Sequence, residues 1–199
     1  MTRLTDLAAA VMAIYRDIDE AVTAFQNESG LACPRFCGQC CASDQVEATV
    51  IECLPLALSL FAQGLGPATL DTIEALPSQR KHCIFYAEGH ESRHSWGCLR
   101  YETRPLICRM FGFSGQRDRL NTPRLALCRL MKRAFALGDG DEYRLAVAAA
   151  ATMPFFSEFA MRLTTLDPAE GATRLPINQA MRRALLKVAT AGYLDALKE

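Results

Sequence analysis

From the N-terminus, Leu4, Leu7, Val11, Ile14, Ile18, Ala21 and Phe25 recur at steps of three and four, the apolar stripe of an amphipathic helix. The pattern predicts a helix over residues 5–27 that Gly30 ends. Residues 33–41 then show neither helical nor strand periodicity. Residues 50–60 are apolar with Pro55 early in the run, which predicts a short buried helix whose first turn takes the proline. A second short helix is expected over residues 68–76.

Residues 80–128 interleave Gly, Pro, Cys, Arg and His with short apolar patches such as Cys83-Ile84-Phe85-Tyr86 and Leu106-Ile107-Cys108. A stretch of about 50 residues with no periodic apolar face cannot hold itself in place and needs staples. Beyond it, residues 141–151, residues 155–163 and the set Ile177, Met181, Ala184, Leu185 and Val188 read as helices separated by Gly or Pro breaks. The expected fold is mainly α, with helices packed around an irregular, cysteine-rich middle segment stapled by metal. One domain is expected over residues 1–199: an N-terminal helix in 1–30, a cysteine-cluster metal-binding region in 31–133 and C-terminal helices in 134–199. Neither an internal repeat nor a low-complexity tract interrupts this plan.

A chain of 199 residues is long enough to bury a core, and its 50% hydrophobic and 22% charged residues exclude disordered and fibrous classes. The formal net charge of zero hides an asymmetry: residues 1–74 carry three basic and ten acidic side chains, whereas residues 98–133 carry nine Arg or Lys against Glu102 and Asp118. The basic block has no aromatic stacking platform beside it, which argues against nucleic acid. It is expected to offset thiolate charge and to pair with the acidic N-terminal half. Asp6, Arg16 and Asp17 interrupt the apolar N-terminal residues, so no signal peptide is read there. The longest apolar windows, 53–62 and 146–156, fall short of the roughly 20 residues a bilayer span needs. The expected location is the cytoplasm, with no membrane partner.

Nine cysteines are too many for casual packing, and in a reducing compartment an odd, dense set reads as metal or redox chemistry rather than disulfides. They fall as Cys33-x3-Cys37-x2-Cys40-Cys41 and Cys83-x14-Cys98-x9-Cys108-x19-Cys128, with Cys53 between the groups. The two-residue gap from Cys37 to Cys40 lets two thiolates reach one tetrahedral ion, with Gly38 easing the turn. Cys40 and Cys41 are adjacent, so their side chains are expected to diverge, pointing to two ions or a polynuclear cluster. Setting Cys53 aside as a small buried hydrophobe leaves eight ligands: Cys33, Cys37, Cys40, Cys41, Cys83, Cys98, Cys108 and Cys128. Zinc, iron or an iron–sulfur cluster suits such a donor set.

The run Cys37-Gly38-Gln39-Cys40-Cys41, an acidic residue at Glu52, then Cys83-Ile84-Phe85, and the block Cys-x2-Tyr-Glu-x-Arg-Pro-x2-Cys-Arg-x-Phe from Cys98 to Phe111 resemble the YkgJ-type cysteine-cluster family. The resemblance covers residues 33–113 and implies chelation of zinc or iron; flagellin lysine methylases share the cysteine pattern and are associated with an iron–sulfur cluster. The family typically spaces its first two cysteines by two residues, whereas Cys33 and Cys37 are three apart. The Cys33-x3-Cys37-x2-Cys40 spacing also occurs in radical-SAM enzymes, but those need a barrel longer than this chain.

Around these ligands, Arg104 and Arg109 fall on the motif and are expected to donate hydrogen bonds to the thiolates, with Arg35, Arg100 and Arg129 further candidates. Arg104 precedes Pro105 and is expected to be extended, presenting Cys98 and Cys108 from a hairpin-like loop rather than a helix. Glu52 is read as a helix cap or the partner of a motif arginine. Tyr101, Phe111 and Trp96 are read as packing, and His82, His90 and His94 as exposed loop residues able to replace one sulfur. No phosphate loop, nucleophile elbow or His-Glu-x-x-His motif supports a hydrolase. The expected function is metal chelation by thiolates. Two alternatives stand beside it: an iron–sulfur protein acting in electron or methyl-group transfer, and a metal-stapled interaction module docking through Phe113, Phe155 and Phe156.

Overall fold

The structure, a computed structural model, describes residues 2–33, 37–38, 40–77, 82–91, 96–138 and 140–197, with backbone alone at residues 88–91 and 96. Helix α1 (Thr2–Ser29) buries Leu4, Ala8, Val11, Tyr15, Ile18, Val22 and Phe25, a seam whose alternating steps of four and three keep one face toward the rest of the chain. Gly30 ends it at φ +71°, with its N–H donating to the Gln26 carbonyl at 2.9 Å. Glycine takes this left-handed turn without the Cβ clash of other residues.

Strand β1 (Glu47–Ala48) leads into α2 (Val50–Ala62). Thr49 caps α2: its hydroxyl accepts from the Glu52 N–H, and the Glu52 carboxylate accepts from the Thr49 N–H at 2.9 Å. This reciprocal box satisfies two donors that a helix start leaves open. Pro55 is the sixth residue of α2, past the first turn where the sequence predicts it, so the helix forgoes one N–H bond there. Helix α3 (Gly66–Glu74) follows.

The middle of the chain is a set of small elements rather than one loop. Strands β2 (Tyr86–Glu91) and β3 (Trp96–Cys98) form an antiparallel hairpin with Tyr86 opposite Cys98. A 3-10 turn at Tyr101–Thr103 leads to α4 (Leu106–Met110), and β4 (Ser114–Arg117) pairs with β5 (Pro123–Ala126) in a second hairpin. Arg104 is extended at φ −62°, ψ 141° as Pro105 demands. Cys98 does close a hairpin, but Cys108 rides on a helix, because the chain turns helical directly after the proline.

The C-terminal part holds α5 (Arg129–Ala134), α6 (Asp141–Ala148), α7 (Phe156–Leu166), α8 (Pro168–Gly171), β6 (Leu175–Pro176) and α9 (Ile177–Ala196). The fold is thus mainly helical. Strand β6 pairs antiparallel with β1, Ala48 opposite Leu175, so α2 and α9 start side by side.

Two apolar clusters meet along α1. One joins Val11, Tyr15, Ile18 and Phe25 to Leu106, Met110, Phe113, Leu125, Met131, Phe155, Phe159 and Leu163. The other joins the α1 start to Leu54, Ala57 and Leu60 of α2 and to Ala180, Met181, Ala184, Leu185 and Val188 of α9. Phe113 and Phe155 are only 5% and 7% exposed, and Phe156 is partly buried with the Arg174 guanidinium over its ring. The expected aromatic docking face is therefore corrected: these rings belong to the core, where their large apolar area is most stabilising. Among the described residues, no helix is long and apolar enough to cross a membrane.

Candidate metal centre

Between α1, the start of α2, the β2–β3 hairpin and α4 lies a cavity of about 690 Å³. Cys33, Cys37, Cys40, Cys41, Cys53, Cys83, Cys98 and Cys108 line it, with no disulfide among the described residues. Cys128 is not on that wall. Its sulfur accepts the Met131 N–H at 3.3 Å and caps α5, within Coulombic reach of Cys33.

The Gly38 carbonyl accepts from the N–H groups of Cys41 and Ala42, at 3.0 and 3.1 Å. The resulting turn sets Cys40 and Cys41 side by side: the Cys41 thiol hydrogen-bonds to the sulfurs of Cys40 and Cys98. Both members of the adjacent pair line the same cavity. These bonds draw Cys40 down to about 7 and Cys98 down to about 6, while Cys41 is pushed up. Burial, then the neighbouring Cys37, Cys40 and Cys128, pushes Cys33 up to about 11; burial also raises Cys53 and Cys108. Among the described residues, no group of three or more Cys, His, Asp or Glu side chains is placed to hold a metal ion; what the thiols share is the wall of one cavity.

Arg104 and Arg109 divide their labour. The Arg104 guanidinium lies 3.6 Å from the Tyr101 ring centroid and 3.6 Å from the Asp19 carboxylate, and its positive charge acts on Cys33, Cys40, Cys98 and Cys108. Its Nε and Nη1 are buried and have no hydrogen-bond partner among the described residues. Arg109, 3% exposed in its side chain, instead donates to the carbonyls of Arg104 and Glu102 and to Asp19, and covers the Tyr15 ring at 4.2 Å. It clamps the 102–104 turn on α1. Asp19 thus gathers two arginines of the basic block, as the charge asymmetry predicts.

Two anchors hold the cysteine segments in register. Glu52, 1% exposed, accepts from the Leu106 N–H at 2.8 Å through Oε2, so the cap of α2 also ties down the start of α4, two residues before Cys108. Its arginine partner is Arg174, at 3.4 Å, not one on the motif. Asn178 at the start of α9 accepts the Ile84 N–H at 3.0 Å and donates to the His82 carbonyl at 2.8 Å, bracketing Cys83. Nothing in the sequence marked Asn178 or Asp19, whose partners lie about 85 to 95 residues away. Asn178→Ala is expected to cost about 1–2 kcal/mol and to speed hydrogen exchange at Ile84. Unchanged exchange there would show that the Cys83 segment is held by other means.

Other sequence candidates are divided by the fold. Arg100 lines the cavity with an unpartnered, buried Nε and lies over Phe85. Tyr101 and Phe111 pack on the wall. Arg129 and His82 are exposed and do not line it. Arg35, His94 and the side chains of His90 and Trp96 lie outside the described residues.

A mainly helical scaffold gathering cysteine thiols beside an arginine is the frame of a cysteine-cluster, metal-binding protein. Residues 32–129 match the model of the CxxCxxCC family, described as a "Putative zinc- or iron-chelating domain". The match runs past Phe113 and takes in Cys128. No curated protein and no solved structure matches the chain.

Proposed function

We propose that the protein chelates zinc or iron through the thiolates of Cys33, Cys37, Cys40, Cys41, Cys83, Cys98 and Cys108, with Cys128 at the edge of the set beside Cys33. The carrying observation is that thiols far apart in the chain, Cys33, Cys37, Cys40 and Cys41, then Cys83 and Cys98, then Cys108 of α4, line one cavity. The donor chemistry fits: thiolates suit zinc and iron–sulfur centres alike, and the Nε and Nη1 of Arg104, without a partner among the described residues, are donors that suit a thiolate acceptor. Such donors orient ligands and hold them ionised.

The test is elemental analysis with an optical spectrum on protein purified both without oxygen and in air. Zinc or iron in stoichiometric amount supports the reading, and metal-free protein from both preparations defeats it. A brown, iron- and sulfide-bearing product under anaerobic conditions assigns the iron–sulfur form.

Two further outcomes follow from the charges. Arg104→Gln is expected to weaken metal binding about 10-fold, read by competition with a chromogenic chelator; unchanged affinity would remove Arg104 from the site. Ligation requires thiolates, and Cys33, at about 11, and the buried Cys108 hold their protons at neutral pH. Metal loading near pH 7 should therefore release protons into weak buffer. Affinity should fall as the pH drops through about 7 and 6, where Cys40 and Cys98 regain theirs. Proton-neutral loading would contradict this.

A further inference from the structure

Cys53 stands apart from the motif in the sequence, inside an apolar run where cysteine serves equally well as a small hydrophobe. Its burial agrees with that: it is 2% exposed. Its neighbours point elsewhere. Cys53 lines the same cavity as the motif cysteines, Cys83 and Cys108 pack against the apolar cluster that contains it, and both act on it electrostatically.

The backbone gives this proximity a fixed cause. Glu52, the residue before Cys53, binds the Leu106 N–H at 2.8 Å, and Leu106 opens the helix that carries Cys108. Helices α2 and α4 are therefore locked in register on either side of the inner cavity wall. Cys53 thus shares one cavity wall with two thiols of the motif.

We propose that Cys53 is a further metal-binding thiol, forming with Cys83 and Cys108 the inner end of the cluster, an assignment that rests on the chelation proposed above. Binding forms a sulfur–metal bond and releases the Cys53 proton to solvent, with no change of oxidation state. The three thiols come to the cavity wall from α2, α4 and the segment before β2.

The experiment loads cobalt(II), a spectroscopic substitute for zinc, into reduced wild-type protein, Cys53→Ala and the core control Leu60→Ala, and reads bound cobalt and sulfur-to-cobalt absorbance per bound ion. Wild-type protein that takes up no cobalt, zinc or iron defeats the chelation reading itself. With wild-type uptake intact, Cys53→Ala is expected either to lose one ion or to lose about a quarter of one four-coordinate ion's absorbance. Leu60→Ala should keep wild-type absorbance per ion. Wild-type stoichiometry and absorbance in Cys53→Ala overturn the assignment. Should that variant not fold, Cys53→Val, which refills the space, is read against the same two outcomes.

Discussion

Serine in place of Cys108 is expected to strip the protein of part of its metal and to leave residues 83–108 open to hydrogen exchange while α1 and α9 stay protected. Cys108 rides on α4 in the cavity wall, and Cys40, Cys83 and Cys98 all bear on it electrostatically. A serine oxygen is a poor substitute for a thiolate at zinc or iron. The surrounding elements, a two-stranded hairpin and a five-residue helix, are too small to persist alone. Structural zinc contributes on the order of 10 kcal/mol to the folding of small metal-dependent domains, so losing a ligand here should remove several. Elemental analysis and exchange measured by peptide mass spectrometry check the two halves of this result. Full metal content in Cys108→Ser would remove it from the ligand set.

Glu52→Ala is expected to destabilise the protein by about 3–5 kcal/mol, the range found when one partner of a buried charged network is removed. The carboxylate accepts from the Thr49 N–H and hydroxyl at 2.9 and 3.0 Å, from the Leu106 N–H at 2.8 Å and from Arg174 at 3.4 Å. Alanine leaves two backbone N–H groups and one guanidinium short of an acceptor, each buried donor costing about 1–3 kcal/mol. Glu52→Gln should lose less, since its amide oxygen still accepts one of these bonds. Denaturant titration with metal removed isolates this term from chelation. A loss below about 1 kcal/mol in Glu52→Ala would mean that α4 is held by packing alone.

The helical frame was legible because burial leaves a period in the sequence. The seam of α1, the apolar run of α2 and the spacing of Ile177, Met181, Ala184 and Val188 in α9 all lie where they were read. The motif cysteines were legible too, since metal ligation constrains spacing along the chain. The small elements at residues 86–126 were not, as two-stranded hairpins and single helical turns carry no periodic stripe. Pro55 shows the limit within a helix: its place beyond the first turn depended on where Thr49 and Glu52 close the cap.

By itself, then, the sequence determined a helical scaffold, an interrupted middle and a thiol set suited to zinc or iron. Tertiary structure alone decided which thiols share a wall. It put Cys53 on the same cavity wall as Cys83 and Cys108 and set Cys128 to capping α5. It also turned Arg109 toward Asp19 and left Arg104 with open donors. The reason is physical: burial period and ligand spacing are local properties of a chain, whereas a contact between residues 52 and 106, or 19 and 109, exists only once the core has fixed α1, α2 and α4 against one another.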